Sequence, residues 1–275
     1  MPLVLPDKGN LESIMMYNVK ALHGMKVVAT DGDIGTVEDV YFDDERWAIR
    51  YFAVDAGGLA GERKVLLSPA SLRHLYWQER AMNVELTRKQ VEDSPDIDTA
   101  RPVSRQHEVE FYDYYGYPYY WAGPYLWGYA SLPAAEAQPL EQPDPEVRRE
   151  RLEQEHQKDD PHLRSSREVI GYGIQATDRK LGHVEDLLFD DEDWSIRMLV
   201  VDPRNWWPGP SVLVSPQRID HIDWLDRSVA VNLTRDEIEH CPKYDEADLS
   251  ADVRTRPPPG ADGVPGGADS RSGRR

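Results

Sequence analysis

Three kinds of residue in this chain are capable of chemistry: acids in runs, histidines and a single thiol. The acids come as Asp43-Asp44-Glu45 and Asp190-Asp191-Glu192-Asp193. A Ca²⁺ ion takes about six to eight oxygen ligands, commonly from a sharply folded loop with spaced acids and a glycine. These acids are consecutive, which suits a solvated hairpin tip, with weak cation binding as the alternative. Of the eight histidines, His74 and His221 sit in the matching contexts LRHLYW and IDHIDW. No second His or Cys lies at zinc-ligand spacing, so a structural hydrogen bond is expected of each. Cys241 precedes Pro242 and matches Ser94 in the repeat described below; a position that holds serine in its sister copy is a poor nucleophile. Gly57, Gly58 and Gly61 lack the G-x-x-x-x-G-K-[ST] spacing and strand–helix setting of a phosphate loop. No catalytic, metal-ligating or cofactor-binding residue is assigned, and no cofactor is expected.

Binding chemistry is concentrated elsewhere. Residues 111–129, FYDYYGYPYYWAGPYLWGY, hold eight of the fourteen tyrosines. Tyr114, Tyr115, Tyr117, Tyr119, Tyr120, Trp121 and Trp127 are the candidate protein interface. Bases stack on such rings, but the segment has no Lys or Arg to meet phosphates. The same lack removes the basic anchors that would hold a ring-rich segment to anionic lipid. Tyr and Trp also bury much area at low entropic cost, so the expectation is protein contact, with the chain's own domains or with another chain. Its glycines and prolines predict extended or turning backbone rather than a helix. A second aromatic loop, residues 203–210, adds Trp206 and Trp207 as candidates. Downstream of the ribbon, residues 145–158 have the composition of a short solvated helix.

The elements that must carry these residues are set by a duplication. GMKVVATDGDIGTVEDVYFDDERWAIRYFAVD, from Gly24, matches GYGIQATDRKLGHVEDLLFDDEDWSIRMLVVD, from Gly171, at an offset of 147 residues. Residues 22–98 and 169–245 share 31 identities over 77 gapless positions. This gives an N-terminal segment 1–16, domains at 17–99 and 166–246, a linker 100–165, and a Pro/Gly-rich tail 247–275 that is expected to be disordered. Each copy reads as about six short strands. Thr87 with Gln90, and Thr234 with Glu237, form capping boxes that open a terminal helix of about two turns. The fold class is mainly β, two small barrels. If Phe42 pairs with Trp47 across the acidic hairpin, Asp39 falls opposite Arg50. Likewise Phe189 with Trp194 sets Asp186 opposite Arg197, so a cross-strand ion pair is expected in both copies. That register leaves Glu38 and Glu185 on an apolar row, which requires a bulge or a polar partner.

The run ATDGDIGTVEDVYFD, the following aromatic-rich strand and VLLSP resemble the PRC-barrel family. Both copies carry its Gly-x-Val step (Gly35-Thr36-Val37, Gly182-His183-Val184), a following acid and an aromatic-Asp ending (Phe42-Asp43, Phe189-Asp190). The resemblance covers about 160 of the 275 residues. It implies a β-barrel that binds other macromolecules, with no shared catalytic residues. The family's settings are the cytoplasmic domain of the photosynthetic reaction-centre H subunit, a ribosome-binding maturation factor, and many bacterial proteins.

Composition narrows the classes further. The formal net charge is -18, and such a field repels phosphate backbones, so direct nucleic-acid binding is not expected. No run of about 18 apolar residues predicts a membrane-spanning helix, and residues 1–18 do not read as a secretory signal. The lone cysteine fits a reducing cytoplasm. The expectation is a non-enzymatic interaction or scaffold module in the cytoplasm, with a protein partner. The alternatives are an H-subunit-like accessory of a membrane complex, peripherally attached, and a ribosome-associated factor. Homo-oligomerisation is left open.

Overall fold

The computed structural model describes residues 16–57, 63–95, 105–133, 162–203 and 209–245. Trp206, Trp207, the helix expected over 145–158 and the tail fall outside them. The first repeat runs through β1 (Met16–Asn18), α1 (Val19–Leu22), β2 (Lys26–Ala29), β3 (Gly32–Asp43), β4 (Ala48–Asp55), β5 (Lys64–Leu67), β6 (Leu72–Tyr76), β7 (Ala81–Val84) and α2 (Arg88–Glu92). A linker helix, α3 (Arg105–Tyr115), follows. The second repeat has β8 (Leu163–Ser165), α4 (Ser166–Val169), β9 (Gly173–Gln175), β10 (Lys180–Asp190), β11 (Ile196–Asp202), β12 (Val212–Val214), β13 (Ile219–Asp223), β14 (Ser228–Val231) and α5 (Arg235–Glu239).

The fold is mainly β: two seven-stranded sheets, one per repeat. The first has the path β5-β4-β3-β2-β7-β6, and the second repeats it as β12-β11-β10-β9-β14-β13. The end strands of each path are consecutive in the chain, joined by a 3-10 turn at Pro69–Ser71 and at Pro216–Arg218. Both turns start from a serine whose side chain accepts a backbone N–H. Both capping boxes form: Gln90 N donates to Thr87 Oγ1 at 3.2 Å, and Thr87 N donates back to Gln90 Oε1 at 2.8 Å. The Gly-x-Val step has a steric cause, because a Cβ on Gly35 would stand 1.8 Å from the Asp55 carbonyl oxygen. Only glycine lets the two strands approach there.

The seventh strand of each sheet is borrowed. β1 pairs with β10 of the second repeat, Met16 opposite Asp190 and Asn18 opposite Leu188. β8 pairs with β3 of the first, Leu163 opposite Asp43 and Ser165 opposite Tyr41. The residues that were expected to close the linker thus form part of the first sheet. The two exchanges are related by the 147-residue offset, so they are copies of one contact. At the centre Ala48 bridges Ser195, its own equivalent. Ile49 N donates to Trp194 O at 2.8 Å, and Ile196 N to Trp47 O at 2.6 Å. A pseudo-twofold axis therefore passes between Ala48 and Ser195. One continuous buried cluster includes Phe42, Phe52 and Leu67 with Phe189, Trp194 and Val201, so the repeats share a core.

The hairpin register differs from the one expected from the sequence. Phe42 pairs with Ile49 and Tyr41 with Tyr51, which leaves Arg50 as the extra residue of a bulge. Phe189 pairs with Ile196 and Leu188 with Met198, leaving Arg197 in the same place. The cause is the turn: Trp47 and Trp194 adopt positive φ values of 53° and 64° and do not belong to the strands. Arg50 therefore pairs with Asp43 at 3.1 Å, not with Asp39. Arg197 pairs with Asp190 at 2.9 Å and with Asp193 at 2.9 Å, not with Asp186. A second bulge takes Glu38 and Glu185 out of the ladder. Glu38 accepts from Lys64 Nζ at 3.0 Å, and Glu185 accepts from Ser211 Oγ.

The ribbon is also partly corrected. Its first five residues finish α3, where extended or turning backbone was expected. The glycines and prolines that argued against a helix all follow residue 115. Gly116, at φ 70°, takes the left-handed conformation in which helices commonly end. Beyond it the chain turns irregularly to Ser131, with a short 3-10 stretch at Tyr120–Ala122.

Candidate functional site

The ribbon lies on the outer face of the first sheet. Phe111, Tyr112, Tyr117, Tyr119, Tyr120 and Trp127 are buried, whereas Tyr125 and Tyr129 stand about half exposed. The anchor is a polar pair inside an aromatic box. Glu108, buried on α3, accepts from Tyr51 Oη at 2.8 Å and from Tyr120 Oη at 2.7 Å. Tyr51 meets Phe111 edge-on, with ring centroids 5.1 Å apart. Burial pushes the Tyr51, Tyr112 and Tyr117 phenols well up, and Tyr115 up to about 12, so all four stay protonated. Tyr114 closes the far end by donating to Gln90 O at 2.8 Å.

Two arginines of the acidic hairpin hold the turn of the ribbon. Arg50 is fully buried; it donates to Leu126 O at 2.8 Å, and its guanidinium lies 3.9 Å from the Tyr120 ring centre and 4.8 Å from Trp127. Arg46 donates to the carbonyls of Tyr120 (3.0 Å), Tyr125 (2.7 Å) and Gly123 (3.2 Å). Three carbonyls turned toward one planar fork suit guanidinium geometry. Trp127 Nε1 donates to Asp193 O at 2.8 Å, so the ribbon also touches the hairpin of the second repeat. Sequence reasoning selected Tyr117, Tyr119, Tyr120 and Trp127 but missed Glu108, Arg46 and Tyr51 as their holders. The signal present was the spacing of Glu108, Phe111, Tyr112 and Tyr115, which places them on one helical face.

The equivalent face of the second sheet is built differently. Met198 stands where Tyr51 does, and it packs with Leu188 and Val200 against Met16, Leu213 and Tyr244. The Arg197 side chain is 37% exposed, against 0% for Arg50. Asp193 replaces Arg46. Between the Arg197 end of the second repeat and the first repeat's hairpin lies, among the described residues, an open cleft of about 890 Å³, lined by Arg46, Trp47, Asp193, Arg197, Ile219 and Asp220, among others.

A smaller cleft of about 200 Å³ lies at the strand exchange, between Glu38, Lys64, Arg164, Arg167, Tyr172 and Trp224. Across the pseudo-twofold the same space is filled: Tyr17, at the position of Arg164, stacks on Trp77 at 4.1 Å and 7°. Trp224, the copy of Trp77, is 39% exposed. The flanking carboxylates differ too. Asp39 accepts from Ser165 Oγ (2.5 Å), Ser166 Oγ (3.1 Å) and Arg167 N (3.2 Å). Among the described residues Asp186 has only backbone donors, Lys20 N at 3.2 Å and Leu187 N at 2.8 Å. Asn18 and Val19 stand where the serines do. Burial pushes the Asp186 carboxyl up to about 6.

The remaining candidates have local roles. Asp43 Oδ1 accepts from Glu45 N and Arg46 N, and Asp190 Oδ1 from Glu192 N, so these acids close their own turns. Asp44 receives Arg164 Nε at 2.5 Å, and burial raises its carboxyl. Among the described residues no group of three His, Cys, Asp or Glu is placed to hold a metal ion. His221 bonds Asp220 at 2.8 Å on the surface, and His74 packs edge-on to Tyr76 at 5.9 Å. Burial raises the Cys241 thiol, which faces Glu237 O at 3.5 Å. No described helix is long and apolar enough to cross a membrane.

Comparison with known families gives one match, found twice. The PRC-barrel domain model matches residues 15–88 and 161–238, together more than half of the chain. No curated protein matches.

Proposed function

The chain belongs to the PRC-barrel family, and from that premise we propose that it is a non-enzymatic interaction module that presents a rigid, paired body to a protein partner. The observation that carries this reading is how the reactive side chains are used. Arg50, Arg197, Asp43, Asp190, Glu38, Glu108 and Tyr51 are each tied to a structural partner, while Tyr125, Tyr129 and Leu132 project from the capped face at 55%, 52% and 46% exposure. Exposed rings on a rigid support are what contact surfaces use, because little side-chain entropy is lost on docking.

Cross-linking with mass spectrometry in the source cell tests the reading. A reproducible protein partner is expected, and Tyr125→Ser with Tyr129→Ser should weaken its capture without lowering the melting temperature. Turnover of a substrate by the purified protein, abolished by one side-chain change, would overturn it. The same cross-links distinguish the family's settings, a membrane complex or the ribosome, by the protein to which they lead.

A further inference from the structure

We infer that the open cleft of the second repeat is a docking site for a basic, aromatic segment of a partner protein. The inference rests on the interaction reading above and adds the place and the chemistry. It starts from the duplication. Arg197, Ser215, Ile219 and Ile222 of this cleft are the 147-residue copies of Arg50, Ser68, Leu72 and Leu75. On the first repeat that place is taken by the chain's own ribbon, with rings over Arg50 and a turn whose carbonyls face Arg46. Among the described residues the protein thus contains one filled and one open version of the arginine end of this groove, the Tyr51 end being closed in the second repeat by Met198 and Tyr244; the filled version shows what kind of segment fits: a turn of main chain that sets aromatic rings on a guanidinium.

The open version has different charges. Arg46 becomes Asp193, and Arg73 becomes Asp220. At these two positions cations give way to anions, and the cleft as a whole sets Asp44, Glu45, Asp193 and Asp220 against Arg46, Arg164 and Arg197, one net negative charge. Asp193 cannot donate to the carbonyls that Arg46 holds, and a carboxylate facing them is repulsive. The ribbon has no Lys or Arg between residues 111 and 129, so neither this chain's ribbon nor that of a second copy suits the groove. A segment with Lys or Arg beside its rings does: the rings lie on Arg197 and against Ile219 and Trp47, and the cations meet Asp193 and Asp220. A net charge of -18 also steers such a segment toward the protein.

The test is a titration of the full chain, followed by NMR, with two synthetic peptides. One has the sequence of residues 117–130. The other carries Lys in place of Ala122 and Tyr125, both exposed in the ribbon, so its turn is preserved. The lysine peptide is expected to bind about tenfold or more tighter at low salt and to weaken as salt rises. Its shift changes should centre on Ile219, Ile222 and the Arg197 side chain. Asp220→Arg, a substitution at an exposed site, should reduce the preference, and adding Asp193→Arg should reverse it. Failure of both peptides to bind, equal binding, shifts elsewhere, or indifference to Asp220→Arg each overturn the inference. So does a chain dimer that fills the cleft with the second copy's ribbon. Cellular cross-links that join a partner to other surfaces overturn the cleft and leave the interaction reading standing; absence of any partner overturns that reading as well.

Discussion

Arg50 and Arg197 occupy the same bulge in two copies of one motif, yet their surroundings give them different energetic weight. Arg50 is buried, paired with Asp43 and enclosed by Tyr120 and Trp127. Removing it strands a buried carboxylate, so Arg50→Met should cost about 3–5 kcal/mol. Arg197 is more than one-third exposed, and Arg197→Met should cost about 1 kcal/mol or less. Denaturant midpoints of the two variants measure the difference, and equal losses would contradict the account. Asp186 gives a pH signature. Its folded carboxyl titrates near 6, above its unfolded value of 3.8. The folded state therefore binds the extra proton between these values, and stability falls as pH rises from about 4 to about 6. Above pH 6 the buried charge costs on the order of 3 kcal/mol. Asp186→Asn keeps both backbone acceptor contacts and removes the charge. It should raise the melting temperature by a few degrees at pH 8 and change little at pH 4. An unchanged melting temperature at pH 8 would show that the carboxyl is not held in this way.

The strand exchange makes the most specific prediction at the scale of elements. Because β1 is bound to β10, deleting residues 1–18 should expose an edge of the second sheet, not of the first. Hydrogen exchange should rise in Leu188–Asp190, and a rise confined to β2–β7 would refute the pairing. This exchange was not legible in the sequence. A three-residue strand has no pattern of its own, and its partner is chosen by tertiary placement. The six strands of each repeat were legible, because β-branched runs and turn residues agree locally with the fold. The capping boxes were legible for the same reason. The register of the acidic hairpin was not, since it depends on tryptophans at positive φ, a conformation rarely assigned to a bulky ring. Of the candidate site, the ring-rich segment could be read. The helix that begins it was obscured by the glycines and prolines that follow.

The whole molecule is a dimer in one chain. Its two exchanged strands, its bridge from Ala48 to Ser195 and its shared core all obey one pseudo-twofold. An isolated second repeat, residues 160–245, would have a strand to give and a sheet edge to fill. Two such fragments satisfy both needs reciprocally, so the fragment should run as a homodimer in light scattering. A stable monomer would show that each repeat closes without its sister. Fusion of the copies has allowed their faces to diverge, as the filled groove beside Arg50 and the open one beside Arg197 illustrate.

The reach of β1 also has a consequence for synthesis. Met16 must find Asp190, which leaves the ribosome 174 residues later. At roughly 5–20 residues per second, that is a wait of about 9–35 s. For all but the last 25 of those residues the first repeat has neither the sheet to which its first strand belongs nor the strand, Leu163–Ser165, that covers its own edge. The nascent chain thus carries an unpaired edge for most of its elongation, and neighbouring chains on the same message, in the same half-made state, offer each other the complementary strand. Slow translation would favour pairing between chains, and fast translation pairing within one.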